Sequence, residues 1–222
     1  MNLIQELEEI ERRFKKSEDI RKDFWRLVGK IKRQQISDDK ILRRVAKLRD
    51  LMLERRVILS YRTGFILFLS VFLVLNVLLI VVAFGKSGLV NALAIFVIEV
   101  CTIYFAFLTG RCVAARVSGI EIDGFYKYSP LEFGVKVNYL SYLKAEPLNR
   151  VVLFSGAIIL EHVILMVHMI FLLIVNSYWI IPALILATNL PFSYLIHRYA
   201  RTGELHRLLR ELRILREIRR QV

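Results

Sequence analysis

The sequence predicts a mainly α-helical polytopic membrane protein with four transmembrane helices, a cytoplasmic N-terminal helical hairpin, a small membrane-apposed β insert and a C-terminal amphipathic helix. Three observations carry that prediction. The chain is 56% hydrophobic yet carries a formal charge of +13 over 222 residues, so its apolar and basic parts must be separated. They are separated in blocks, with apolar runs at about Phe65–Phe84, Leu89–Thr109, Val151–Ile174 and Tyr178–Ile196. Each run reaches or approaches the roughly 20 residues that cross a bilayer. Between the second and third runs the apolar period changes to two, which is a strand signal.

Residues 1–62 read as two amphipathic helices. Apolar residues recur at Leu3, Leu7, Ile10 and Phe14, again at Phe24, Val28 and Ile31, and then at Ile41, Val45, Leu48 and Met52. That is heptad, coiled-coil-like spacing. The stretch "QQISDDK" breaks it, with Ser37 as the expected N-cap and Asp38 and Asp39 placed at the positive end of the next helix. A helical hairpin follows. These first 60 residues are dense in charge and lack the short apolar core of a cleavable signal, so the first span is expected to direct insertion.

The membrane domain, 63–196, takes its orientation from Lys and Arg. Eighteen precede the first span, one (Lys86) lies between the first and second, six between the second and third, none between the third and fourth, and eight follow. By the positive-inside rule both termini and the Gly110–Arg150 loop are cytoplasmic, in an integral protein of the cell membrane. The basic surplus also implies contact with an anionic cytoplasmic leaflet.

Within the loop, the insert 117–146 alternates Ile120 and Ile122 with acidic residues, and Val135, Val137 and Tyr139 with Lys136 and Asn138. Gly124, Pro130 and Gly134 supply turns. Tyr126, Tyr128, Tyr139 and Tyr142 read as interfacial anchors beside the membrane, not as a nucleic-acid stacking set, and no nucleic-acid partner is expected. The tail, 197–222, places Leu205, Leu208, Leu212, Leu215 and Val222 on one face and arginines on the other. Such a helix either packs with the N-terminal pair or lies on anionic lipid.

Soluble-enzyme chemistry finds no support. No phosphate-cradling glycine motif or zinc-ribbon CxxC spacing occurs, and no catalytic serine triad can be read from residue order. Cys101 and Cys112 are eleven residues apart on one helix, about 16 Å, and so cannot form a disulfide. The polar residues inside the spans are the candidates for function by default: Glu99, Glu161, His162 and His168. Glu99 and Glu161 each fall about ten residues into their runs, a spacing that lets them meet near the midplane. Glu161 and His168 share a helix face, and His162 is turned about 100° from Glu161. They form either a proton-sharing or cation site or a set of interhelical hydrogen bonds.

Three stretches resemble the core of the site-2 protease family of intramembrane zinc metalloproteases. "FLTGRCVAARVSGI", Phe107 to Ile120, resembles that family's HExxH helix, followed as there by a strand insert. "PLNRVVLFSGAII", Pro147 to Ile159, resembles the opening of its next membrane helix, and "ATNLPF", with Asn189 and Pro191, resembles the final core span. The resemblance covers roughly residues 95–200. It implies two His and one Asp on zinc and a Glu as general base. Here Phe107 and Arg111 stand at the His positions, Leu108 at the Glu position and Ile196 near the Asp position. A guanidinium repels a dication and has no lone pair to offer. The degenerate motif therefore implies no catalytic residues, no metal and no cofactor. The expected role is a non-catalytic, pseudoprotease-like membrane protein that binds or scaffolds partners through the helical hairpin or the strand insert, or self-associates. The alternative is a small proton- or cation-coupled transporter using the intramembrane Glu and His residues.

Overall fold

The computed structural model describes residues 2–53, 55–85, 88–129, 132–175, 177–200 and 203–220. Lys86, Pro130 and Val222, and the side chain of Tyr128, lie outside the described set. The N-terminal region folds as three helices, α1 (Leu3–Lys15), α2 (Arg21–Arg33) and α3 (Asp39–Leu53), instead of the expected pair. The extra break falls at Ser17, whose left-handed backbone (φ 59°) ends α1. Arg13 fixes that turn by bonding Glu18 at 2.9 Å and Asp23 at 2.7 Å. α3 begins one residue later than expected, because Asp38 and not Ser37 is the cap: its Oδ1 accepts from the amides of Lys40 and Ile41. The three apolar stripes meet at Leu7, Ile10, Phe24, Leu27, Ile31 and Val45, all nearly fully buried. Short helices packing three ways replace the expected coiled-coil seam.

A strand absent from the sequence reading, β1 (Val57–Ser60), runs directly into α4 (Tyr61–Ala83). Ser60 caps that helix, its Oγ accepting from the Thr63 amide. The chain continues through α5 (Leu89–Val117), β2 (Ile122–Ser129), β3 (Glu132–Val137), α6 (Tyr139–Lys144), α7 (Pro147–Val175), α8 (Ile180–Leu195) and α9 (Gly203–Arg219). A π turn, Ile196–Ala200, extends α8. α4, α5, α7 and α8 with its extension are long and apolar enough to cross a membrane.

The sheet is antiparallel in the order β1-β2-β3, with Val57 opposite Tyr126 and Ile122 opposite Val137. It rests on the start of α4, where the Phe125 ring lies so close to Gly64 that a Cβ there would come within 2.2 Å of it. Tyr139 does not continue β3. The Asn138 side chain accepts from the Ser141 amide at 3.0 Å and starts α6 instead. Tyr139 and Tyr142 are buried in protein, which corrects their reading as lipid-facing anchors.

α5 and α7 are antiparallel and approach closely through small residues. A Cβ on Gly110 would stand 2.7 Å from the Gly156 carbonyl oxygen, and one on Gly156 would stand 2.2 Å from the Ala114 Cβ. Small faces of this kind let membrane helices meet backbone to backbone. At one end of the bundle the Tyr178 hydroxyl accepts from the Gly88 amide at 2.6 Å. At the other end α9 lies along α7 and reaches α2, so the first and last helical segments meet. The buried face of α9 is Glu211, Ile214 and Ile218, not the expected leucine line, whose members among the described residues are only part-buried.

Candidate functional site

The intramembrane polar residues divide between two places. Glu99, fully buried on α5, meets His168 on α7, with Nδ1 at 3.0 and 3.2 Å from the two carboxyl oxygens. His168 Nε2 lies 2.9 Å from the Asn76 Oδ1 on α4, and Asn76 Nδ2 donates to its own helix at the Phe72 carbonyl. That last bond fixes Oδ1 as an acceptor, so His168 Nε2 carries a proton. One further proton then lies between Nδ1 and Glu99. The triad ties three helices together with each polar atom partnered.

Glu161 does not join Glu99. Gly110 packs against Ala157 as Glu99 packs against His168, so each step along α5 is a step backward along α7. This places Glu161 level with Ala106, seven residues or about 10 Å from Glu99. There Glu161 and His162 line a cavity of about 250 Å3 together with Asn189, Phe107, Ile196 and Glu204. The 100° separation of Glu161 and His162 does not keep them apart, because the cavity spans the junction of α5, α7, α8 and α9. His162 Nδ1 bonds its own helix at the Ile158 carbonyl (2.7 Å), and its Nε2 is buried without a partner, as are Asn189 Nδ2 and Glu204 Oε2. Among the described residues no three His, Cys, Asp or Glu side chains converge as metal ligands would. Pro191 is exposed on α8.

The motif positions on α5 are divided by the helix turn. Phe107 faces this cavity, whereas Leu108 is fully buried in the main core. Arg111 is 5% exposed, pairs with Glu204 on α9 and stacks its guanidinium over Phe154, 5.0 Å from the ring centre. Neither Phe107 nor Leu108 has a lone pair, and Arg111 has only donors, so none of the three can ligate a metal or take a proton from water. Cys101 and Cys112 are free thiols.

A second polar cluster, missed in the sequence, joins the two helical segments. Lys32 Nζ donates to Glu211 Oε1 at 2.7 Å, the Tyr142 hydroxyl donates to the same oxygen at 2.7 Å, and Arg150 Nε reaches Oε2 at 3.2 Å. All four residues are buried. Burial pulls the Lys32 ammonium down to about 7, against the pull of Glu211. Burial would likewise raise the Glu211 carboxyl, but Lys32, the Tyr142 bond and neighbouring Arg210 outweigh it and hold it below the ordinary carboxylate range. A signal did exist: Glu204 and Glu211 are seven apart, on one face of an arginine-rich helix. No family model, curated protein or solved structure matches the chain.

Proposed function

We propose that the chain is a non-catalytic integral membrane protein, similar in core layout to the site-2 proteases, that binds or scaffolds a protein partner at the end where its helices and sheet gather. The observation that carries this reading is the pairing of Arg111 with Glu204. A position that would hold a zinc ligand in a hydrolase instead pins the C-terminal helix to the bundle. The convergence of Phe107, Asn189 and Ile196 on one cavity supports the shared layout. The asymmetry of Lys and Arg supports a cytoplasmic location for both termini in the cell membrane.

The helical domain is the favoured contact surface over strand addition. The Tyr104 hydroxyl accepts from the Phe133 amide on β3 at 2.7 Å, which blunts that edge of the sheet, and β1, at the other edge, is only four residues long. The buried, fully bonded Glu99–His168–Asn76 triad favours a structural tie over the transport alternative, in which these groups exchange protons with solvent. The reading is tested with protein in lipid nanodiscs and a set of fluorogenic membrane-spanning peptides. Peptide turnover stays at the level of empty nanodiscs. Turnover above that level that is lost in Glu161→Gln defeats the proposal.

A further inference from the structure

A second cavity, of about 190 Å3, opens where α2, α3, α5, β3, α6, α7 and α9 converge, and its walls carry five arginines: Arg49, Arg55, Arg111, Arg207 and Arg210. Its floor is apolar, formed by Val135, Val137, Leu153 and Phe154. The facing carboxylates are Asp50, which binds Arg49 at 2.9 Å, Glu204, which binds Arg111 and Arg207, and Glu211, 3.5 Å from Arg210. Glu211 is already engaged by Lys32 and Arg150. Among the described residues cations therefore exceed carboxylates at this cavity.

Two of these arginines are more than nine-tenths buried and incompletely satisfied. Arg49 is 8% exposed and Arg111 5%, and the Nε of each lacks a hydrogen-bond partner. The buried Tyr139 hydroxyl, on the same wall, also lacks one. A buried donor without an acceptor costs about 1–3 kcal/mol, and the excess of guanidinium groups over carboxylates on the cavity wall favours an anionic ligand. The guanidinium groups are held in place before any ligand arrives. Arg49 lies 4.6 Å over the Tyr139 ring and Arg111 lies over Phe154.

We propose that this cavity binds a phosphomonoester, with Arg49, Arg111 and Arg210 donating to its oxygens. Guanidinium forks match phosphate geometry better than any other side chain does. Size restricts the ligand, because sites for drug-sized molecules begin near 300 Å3 and this one suits a headgroup-sized anion. Position fits a lipid source. Arg111 follows the second apolar run, which ends near Thr109, so the cavity lies just beyond the apolar part of α5, where a lipid headgroup would sit. A small soluble phosphate ester has the same recognition chemistry.

The test uses the full chain in phosphatidylcholine nanodiscs. In one arm, native mass spectrometry compares retention of phosphatidic acid with retention of phosphatidylcholine. In the other, glycerol phosphate is titrated while thermal unfolding is followed. Phosphatidic acid is retained about tenfold better, and Arg49→Gln and Arg210→Gln each reduce that preference about tenfold, the loss of one charge-assisted bond. Arg210 is well exposed, so its variant folds even if the Arg49 variant does not. Arg43→Gln, on the exposed face of α3, leaves the preference unchanged. An effect of glycerol phosphate without lipid retention assigns the soluble source, and the converse assigns the lipid. Equal retention of both lipids with no glycerol phosphate effect overturns the site. So does a loss in Arg43→Gln equal to that in Arg210→Gln, because the attraction then belongs to the general basic surface.

Discussion

Glu211→Ala is expected to destabilise the folded protein by about 3–5 kcal/mol and to release the N-terminal helices from the bundle. The side chain is 1% exposed and accepts from Lys32, Tyr142 and Arg150. Removing it leaves a buried ammonium, a buried guanidinium and a buried hydroxyl without their acceptor. Most of the loss comes from those stranded donors, not from the lost attraction itself. Glu211→Gln keeps the shape and one acceptor oxygen, so its loss is smaller. Thermal unfolding in detergent ranks the three proteins, and limited trypsin digestion shows faster cutting in residues 12–56 of the Ala variant. An unchanged melting temperature and digestion pattern in Glu211→Ala would mean that α2 and α9 are not joined through this carboxylate.

Gly110→Leu is expected to separate α5 from α7. Even the first added carbon would stand 2.7 Å from the Gly156 carbonyl oxygen and 2.9 Å from the Leu160 Cβ, and backbone cannot swing aside as a side chain does. Gly110→Ala therefore costs about 1–3 kcal/mol, the usual range for overpacking, and Leu costs more because its branches extend into α7. The Glu99–His168 bond lies on the same interface and is broken with it. Gly29→Ala is the control. It sits inside α2, where its Cβ meets only the flexible end of Arg33 at 3.4 Å, and Ala gains about 0.5–1 kcal/mol in helix propensity. Size-exclusion profiles and melting temperatures should move in opposite directions for the two sites.

Much of the architecture is legible because bilayer-crossing helices need long apolar runs and strands need period two. The four spans and the β2–β3 hairpin rest on those signals. β1 was not legible, because "VILS" is only four residues long and falls inside the 1–62 segment that reads as a helical hairpin. The split of the first amphipathic helix was hidden by an apolar spacing that continues across Ser17, where only a left-handed backbone angle ends the helix. The leucine line on α9 misled for a different reason. A stripe interrupted by a glutamate does not read as buried, yet Glu211 is buried because its partners arrive from α2, α6 and α7, distant in sequence. The separation of Glu161 from Glu99 was equally out of reach. Depth counted from the edge of an apolar run ignores the extra turns by which α5 and α7 extend past it, toward the sheet.

We propose that this core serves binding and has no hydrolytic metal centre, although its cavity gathers Glu161, His162, Asn189 and Phe107. Metal content per chain tests it most directly, measured on protein purified from membranes without chelator. A catalytic zinc requires three converging protein ligands and an open position for water, and the motif positions hold Phe107, Leu108 and Arg111. The expected content is far less than one zinc per chain, unchanged in His162→Ala and His168→Ala. One tightly held zinc per chain, lost in either variant, would contradict it.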